Sequence, residues 1–537
     1  MRYTFDGIAR STFRANRVGF CVLHPVRECQ GQPCRLLKTN GDIEPSVFPR
    51  RIAPHQPFVN LRGIIHEVLP GLAAEVRFAG DTFETEDQRN WTDASYKTYC
   101  TPLARPYPVT VRKGARVRQT VTLKLDGRRP ASCAAVAPDR SVTFQLSGQP
   151  SVPLPAIGVE VASHGQALSK TEAARLRALR LAHLRVLLAL AAEEWPQEFQ
   201  RAVAQARALG VPLEVALFLS DVVEEELAAL TAALKRSRPS VMRWLVFDSG
   251  KQTTTAHSVQ LARAHLTSIN PQAVIGAGTD RDFTELNRNR PAVKALDFVA
   301  YSLSPQVHAF DNATLVENLE AQGWTVRNAQ VFAGRRPIVI SPVTLRRRPS
   351  GVAPPEADCR QMSLFGAGWT LGSFKHLAEQ GAASITYYET TGCRGVMKAA
   401  RGESLPRGFP APPGAVFPLY HVLADIGEFA SGRIAPSISS CPLEIEGVAL
   451  RAGTRMRVML ANLSARPQLV RVSCASLGTW VRMKVLDETN VSEALRAPES
   501  YRREPGPLAQ TVHGQLDVGL RPFAVMRIDA ARKGEAQ

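Results

Sequence analysis

Hydrophobic and polar positions follow three successive rhythms along this chain. Up to about residue 148 they alternate, with β-branched stretches broken by turn residues. Val18 to Leu23, Ala74 to Phe78 and Val109 to Leu125 are examples. Period-two alternation puts successive side chains on opposite faces of a sheet, so this region is expected to be an all-β sandwich. From about 149 to 430 the pattern becomes short, wholly apolar runs separated by helical stretches. The runs are AIGVEVAS from 156, HLRVLLAL from 183, PLEVALFL from 212 and RWLVFDS from 243, then AVIGAGT from 273, FVAYSLS from 298, PIVISPV from 337 and SITYYE from 384. Continuous apolar runs of this length are what parallel strands buried on both faces require.

The stretches between them carry a helical period. Phe199, Ala202, Val203, Ala206 and Leu209 share one helical face, as do Val223, Leu227, Leu230 and Leu234. Gly210 and Gly381 stand where a helix ends and turns into the next strand. Eight strand–helix units over about 280 residues predict a closed (β/α)8 barrel. A doubly wound sheet is second choice, since no GxGxxG fingerprint occurs. DRDFTELNRNRP after strand five reads as a long loop, and FPLYHVLADIGEFA from 417 as the eighth helix. From about 431 alternation returns in PLEIEGVAL, RMRVMLANL, QLVRVSCA, WVRMKVLD and FAVMRIDA. The expected architecture is therefore an N-terminal β-sandwich (1–148), a central (β/α)8 barrel carrying the chemistry (149–430) and a C-terminal β-sandwich (431–537).

Composition narrows the class. The chain has 537 residues, more than one core usually supports, and no apolar run of membrane-spanning length. Its start lacks the apolar segment of a secretory signal, and nine scattered cysteines (Cys133 among them) form no disulfide framework. A cytoplasmic protein is expected. The net charge of +18 raises the question of nucleic acid. The arginines, however, come as dispersed pairs such as Arg50-Arg51 and Arg128-Arg129, with one run, Arg346-Arg347-Arg348, and none is interleaved with aromatics. Neither nucleic acid nor membrane is an expected partner; a small-molecule substrate is.

Barrel enzymes work at the C-terminal ends of their strands. Strand four ends at Asp248, strand five at Asp280 with Glu285 and Asn287 following, strand six leads to His308, and strand eight ends at Glu389. Glu285 and Glu389 are the candidate carboxylate pair, one drawing a proton from water and the other assisting the leaving oxygen. His308 is a candidate general base, and Asp248 either a catalytic residue or the N-cap of the next helix. Asp280 and Asn287 are candidate substrate contacts. No GxSxG elbow, HxH or HExxH occurs, so neither a serine nucleophile nor a metal is expected, and no cofactor is implied. Outside the barrel, residues 80–99 concentrate Glu86, Asp87, Asn90, Trp91 and Asp93. A tryptophan amid carboxylates and amides suits sugar recognition; an interdomain salt-bridge network is the other reading.

Four segments are distinctive: NRVGFCVLHP, FETEDQRNWTDASYKTYCTPLARPYPV, FTELNRNRP and FPLYHVLADIGEF. Together they resemble the D-apionate lactonase family over nearly the whole chain. That resemblance implies hydrolysis of D-apionolactone to D-apionate in bacterial catabolism of apiose, and it assigns no catalytic residue. From the residues alone, two alternatives stand beside a sugar lactonase: a glycoside hydrolase using Glu285 and Glu389, and a carbohydrate-binding protein without catalysis.

Overall fold

The computed structural model describes residues 1–127, 141–348, 356–401 and 411–531; Arg128, Arg129 and Cys133 lie outside them. The chain divides into two compact units, Met1–Pro138 and Asp139–Gln537.

The first unit is antiparallel β-structure built around one long strand. Phe58–Leu69 pairs with Leu72–Ala79, Phe83–Asp87 and Pro33–Lys38, so its twelve residues serve three neighbours. Arg2–Ile8 and Arg116–Gly127 extend the sheet on one side, and Ser95–Tyr99 and Cys21–Pro25 on the other. The segment 109–125 is two strands, not one, parted at Gly114, whose φ of +86° suits glycine. Inside, Phe48 packs against the rings of His24, Phe58, His66 and Tyr96 at 5.1–5.7 Å.

The second unit holds the barrel. Its eight strands are β1 (Ala156–Glu160), β2 (His183–Ala189), β3 (Leu213–Leu219), β4 (Val241–Asp248), β5 (Val274–Gly278), β6 (Val299–Leu303), β7 (Ile338–Val343) and β8 (Ser384–Glu389). All eight pair in parallel, and β8 closes on β1. The helices that follow them are α1 (Lys170–Ala178), α2 (Trp195–Leu209), α3 (Val223–Ser237), α4 (Ala256–Leu266), α5 (Phe283–Arg288), α6 (Asn312–Ala333), α7 (Leu364–Glu379) and α8 (Pro418–Gly427). α1 opens on a capping box, with Ser169 and Glu172 each accepting the other's backbone N–H. α5 corrects the expectation of a long loop: six residues of FTELNR form a helix, anchored by buried Phe283 and Leu286.

Side-chain alternation decides what fills the barrel. Leu187, Ala216, Phe218, Leu245, Phe247, Ala300 and Val339 form an apolar inner layer. By the same parity Arg185, Glu214 and Arg243 also point inward.

A C-terminal sandwich packs against the barrel, and α7 lies along its strands Ile445–Ala452 and Arg455–Asn462. Lys375 on α7 sits 3.3 Å from the buried carboxylate of Glu446, and His376 sits 2.9 Å from it. Val142–Leu146 belongs to this sandwich, although its alternation placed it with the N-terminal region. It pairs in parallel with Gln468–Ser473 and antiparallel with Ser437–Ser439, and it buries Phe144 in the core. Alternation specifies a half-buried strand but not which sheet receives it. Among the described residues no helix is long and apolar enough to cross a membrane.

Candidate active site

Strand β8 carries the candidate acid Glu389, and it presents it through a bulge. Thr386 points inward, bonding Glu214 and His183. Simple alternation would then send Glu389 outward. Instead Tyr387 and Tyr388 both reach α7, through hydroxyl contacts to Ser373 and Thr370, each 2.9 Å long. Tyr388 takes a left-handed φ of +55°, and the register against β1 slips between Gly158 and Glu160. The extra residue returns Glu389 to the barrel mouth. Bulges of this kind re-aim side chains beside active sites.

There Glu389 is buried and well supplied with donors. Ser163 gives it a backbone N–H at 3.0 Å and a hydroxyl at 2.8 Å, and Arg394 an Nε–H at 2.9 Å. Burial pushes its carboxyl above the ordinary range, with Arg394 and the Ser163 N–H opposing and Glu160 reinforcing the rise. Glu160 is its register partner on β1. Two guanidinium groups hold Glu160: Arg185 from within the barrel, and Arg348 from the β7 loop at 3.1 Å.

Below them a polar column shares the barrel interior with the apolar layer. Glu214 accepts from Ser341 and Thr386 and faces Arg243 at 3.3 Å and His183 at 3.5 Å. Burial would push the Glu214 carboxyl up, but His183 and Arg243 beside it bring it down. Burial also pushes His183 down to about 4, with Glu214 opposing the fall. Isolated buried charges are expensive, and here each carboxylate faces an arginine.

On the β5–β7 side the mouth opens into a cavity of about 560 Å³ lined by Asp280, Asp282, Glu285, Arg346, Arg347 and Arg348. Arg348 thus links this cavity to Glu160. Burial pushes both Asp280 and Asp282 upward; Asp282 receives Arg347 Nε–H at 2.7 Å. Among the described residues no group of three His, Cys, Asp or Glu side chains could hold a metal ion.

The sequence-derived candidates divide accordingly. Glu389 is central. Asp280 and Glu285 line the cavity, and Asn287 is buried on α5 beside it. Glu285 and Glu389 have different partners: Glu285 takes Asn289 Nδ2–H at 3.4 Å, and Glu389 takes Ser163 and Arg394. His308 is exposed on the β6 loop, near enough to Asp282 to oppose the rise of its carboxyl. Asp248 lies on the helix-facing parity of β4 and accepts the N–H of Thr255, the residue that caps α4, at 3.0 Å.

The 80–99 segment forms a network within the first unit. Asp87 and Arg89 are a fully buried ion pair at 2.6 Å, and Arg89 also donates to the carbonyls of Pro49, Arg50 and Arg51. Asn90 donates to Ala53 O, Trp91 Nε1–H to Glu86 at 3.1 Å, and Asp93 is buried.

Glu160, Arg185, Arg348 and Arg394 were not singled out from the sequence. Glu160 and Arg185 carried the signal that marked Glu389, a lone charge inside an apolar strand.

Three family models match in order. "D-apionate lactonase, N-terminal domain" covers residues 1–128, the "TIM barrel domain" 157–431 and the "C-terminal immunoglobulin-like domain" 442–528. A D-apionate lactonase of Brucella anthropi is 30% identical over 496 residues, spanning 88% of this chain and 79% of that one. Among solved structures, a GH51 arabinofuranosidase from Xanthomonas axonopodis pv. citri is similar at TM-score 0.54 and 13% identity, over 73% of this chain and all of that one. A family 51 alpha-L-arabinofuranosidase from Bifidobacterium longum follows at TM-score 0.52 and 11% identity, over 73% of this chain and 99% of that one. These two show a shared fold. With its barrel, its flanking domains and nearly its full length matched in order, the chain belongs to the D-apionate lactonase family.

Proposed function

We propose that this chain hydrolyses a sugar lactone, D-apionolactone, to D-apionate in apiose catabolism, by metal-independent acid/base chemistry at the barrel mouth. Family membership supports the reaction class. The observation that carries the chemistry is Glu389, a buried carboxyl turned into the mouth by the β8 bulge and flanked by Arg394. In this reading Glu389 takes a proton from water as the water oxygen bonds to the lactone carbonyl carbon. The oxyanion that forms is stabilised by guanidinium N–H groups of Arg348 and Arg394. Collapse breaks the bond from acyl carbon to ring oxygen, and Glu389 returns its proton to that oxygen. The new carboxylic acid loses its proton to solvent, leaving a carboxylate that suits the same arginines. Asp280 and Glu285 hold the sugar hydroxyls along the cavity.

A base works best when its pKa lies near the operating pH, and burial moves Glu389 in that direction. The proposal is tested by the pH profile of kcat/KM for D-apionolactone opening, followed as acid release. Activity should fall on the acid side at a pH above the ordinary glutamate range, because only the ionised carboxylate accepts the proton. Arg394→Gln removes a group that holds that value down, so its acid limb should move to higher pH. An unmoved limb would remove Glu389 as the base, and no acceleration by folded wild-type protein would remove the lactonase reading.

A further inference from the structure

Glu389 is only 6% exposed, and donors already occupy both oxygens of its carboxyl. Oε1 accepts from the Ser163 hydroxyl at 2.8 Å and from Arg394 Nε–H at 2.9 Å, and Oε2 accepts the Ser163 N–H at 3.0 Å. Ser163 itself is exposed, on the loop that leaves β1. Its oxygen also accepts from Arg394 Nη2. A hydroxyl has one proton and two lone pairs. With the proton given to Glu389 and one pair taken by Arg394, the second pair is left for a molecule in the mouth. The residues on either side hold Ser163 in place. Ala162 N–H donates to Thr390 Oγ1 at 3.2 Å, and His164 Nε2 lies 2.9 Å from Thr391 Oγ1. Gln166 N–H donates to His164 Nδ1 at 3.2 Å, so Nε2 carries the ring proton and gives it to Thr391. Both threonines directly follow Glu389 in the chain, so hydroxyl and carboxyl are anchored to the same segment.

We propose that Ser163 is a catalytic residue, relaying the proton between water and Glu389. The relay rests on the reading of Glu389 as the base. Water in the mouth donates to Ser163 Oγ. As the water oxygen bonds to the lactone carbonyl carbon, its proton passes to Ser163 Oγ and the Ser163 proton passes to Glu389 Oε1. The π pair of the carbonyl moves onto its oxygen. On collapse the protons run back: Glu389 returns one to Ser163, and Ser163 gives its own to the ring oxygen as the bond from acyl carbon to ring oxygen breaks. The serine ends as it began and forms no bond to the substrate. A relay of this kind lets a buried carboxyl serve a reactant that it does not touch.

The test is kcat for D-apionolactone opening by the full chain in mixtures of light and heavy water, for wild type and Ser163→Ala. The variant keeps the backbone N–H to Glu389 and loses only an exposed hydroxyl, so its melting should match the wild type. Its kcat should fall by about 10- to 100-fold, with KM within about threefold. Wild-type kcat plotted against deuterium fraction should bow downward, because two protons move in one step. The Ser163→Ala plot should be straight, because Glu389 then takes a single proton directly. A merely structural serine would lower kcat and leave the curvature alone. Turnover of Ser163→Ala within about threefold of wild type, the same curvature in both proteins, or a straight wild-type plot would overturn the relay. So would an acyl group trapped on Ser163 by hydroxylamine, which would make the serine a nucleophile. Full activity of Glu389→Gln, by contrast, would remove the base itself and the relay with it.

Discussion

Replacing Glu389 by Gln is expected to lower kcat for lactone opening by about 10²- to 10⁴-fold, the usual range for losing a general base. The fold should survive. The glutamine carbonyl can still accept from the Ser163 N–H, which lies 3.0 Å from the present carboxylate, and the side-chain volume hardly changes. What disappears is the capacity to accept a proton from water. Circular dichroism and melting of the variant should match the wild type while kcat collapses. Turnover within about threefold of wild type would take Glu389 out of the mechanism, whatever its position at the end of β8. A collapse of both turnover and melting would make the residue structural.

Asp87→Ala is expected to destabilise the N-terminal unit by about 3–5 kcal/mol. Asp87 and Arg89 are both fully buried at 2.6 Å, so removing the carboxylate leaves a guanidinium charge without its counter-ion. The carbonyls of Pro49, Arg50 and Arg51 satisfy several of its N–H groups but do not neutralise it. On a unit of this size the melting temperature should fall on the order of 10 °C, as read by calorimetry. A shift of less than about 2 °C would mean that the pair contributes little net stability, as surface pairs do.

Both predictions bear on what the sequence makes visible. The eight barrel strands were legible because strands buried on both faces must be apolar throughout. Glu389 was legible because an acid closing such a strand is conspicuous. The bulge that aims it was not, since nothing in SITYYE marks Tyr388 as left-handed; alternation alone would have pointed Glu389 at the helices. Glu160, Arg185, Glu214 and Arg243 were each visible as single charges inside apolar runs. Their meaning depends on which strands face one another across the barrel, a long-range relation that one-dimensional periodicity does not encode. Arg348 and Arg394 stand on loops, where no period places a side chain.

Two misplacements have the same origin. Val142–Leu146 alternates as a strand should, but its partners lie about 300 residues further on. The DRDFTELNRNRP segment is too short and polar to show a helical period, and α5 forms because Phe283 and Leu286 find buried seats beneath it. In both cases tertiary partners decide what local pattern leaves open. The 80–99 loop is a related case. Its density of charge was evident, while the pairing of Asp87 with Arg89 two residues away depends on the chain turning back at residues 88–91.

The central claim is most directly tested by opening of D-apionolactone with purified protein treated exhaustively with chelator, followed as acid release beside common aldonolactones. The expected result is fast opening of D-apionolactone over the other lactones, at a rate the chelator does not change. Activity that is lost on chelation and restored by a divalent metal, or no acceleration over the spontaneous rate in folded protein, would contradict it.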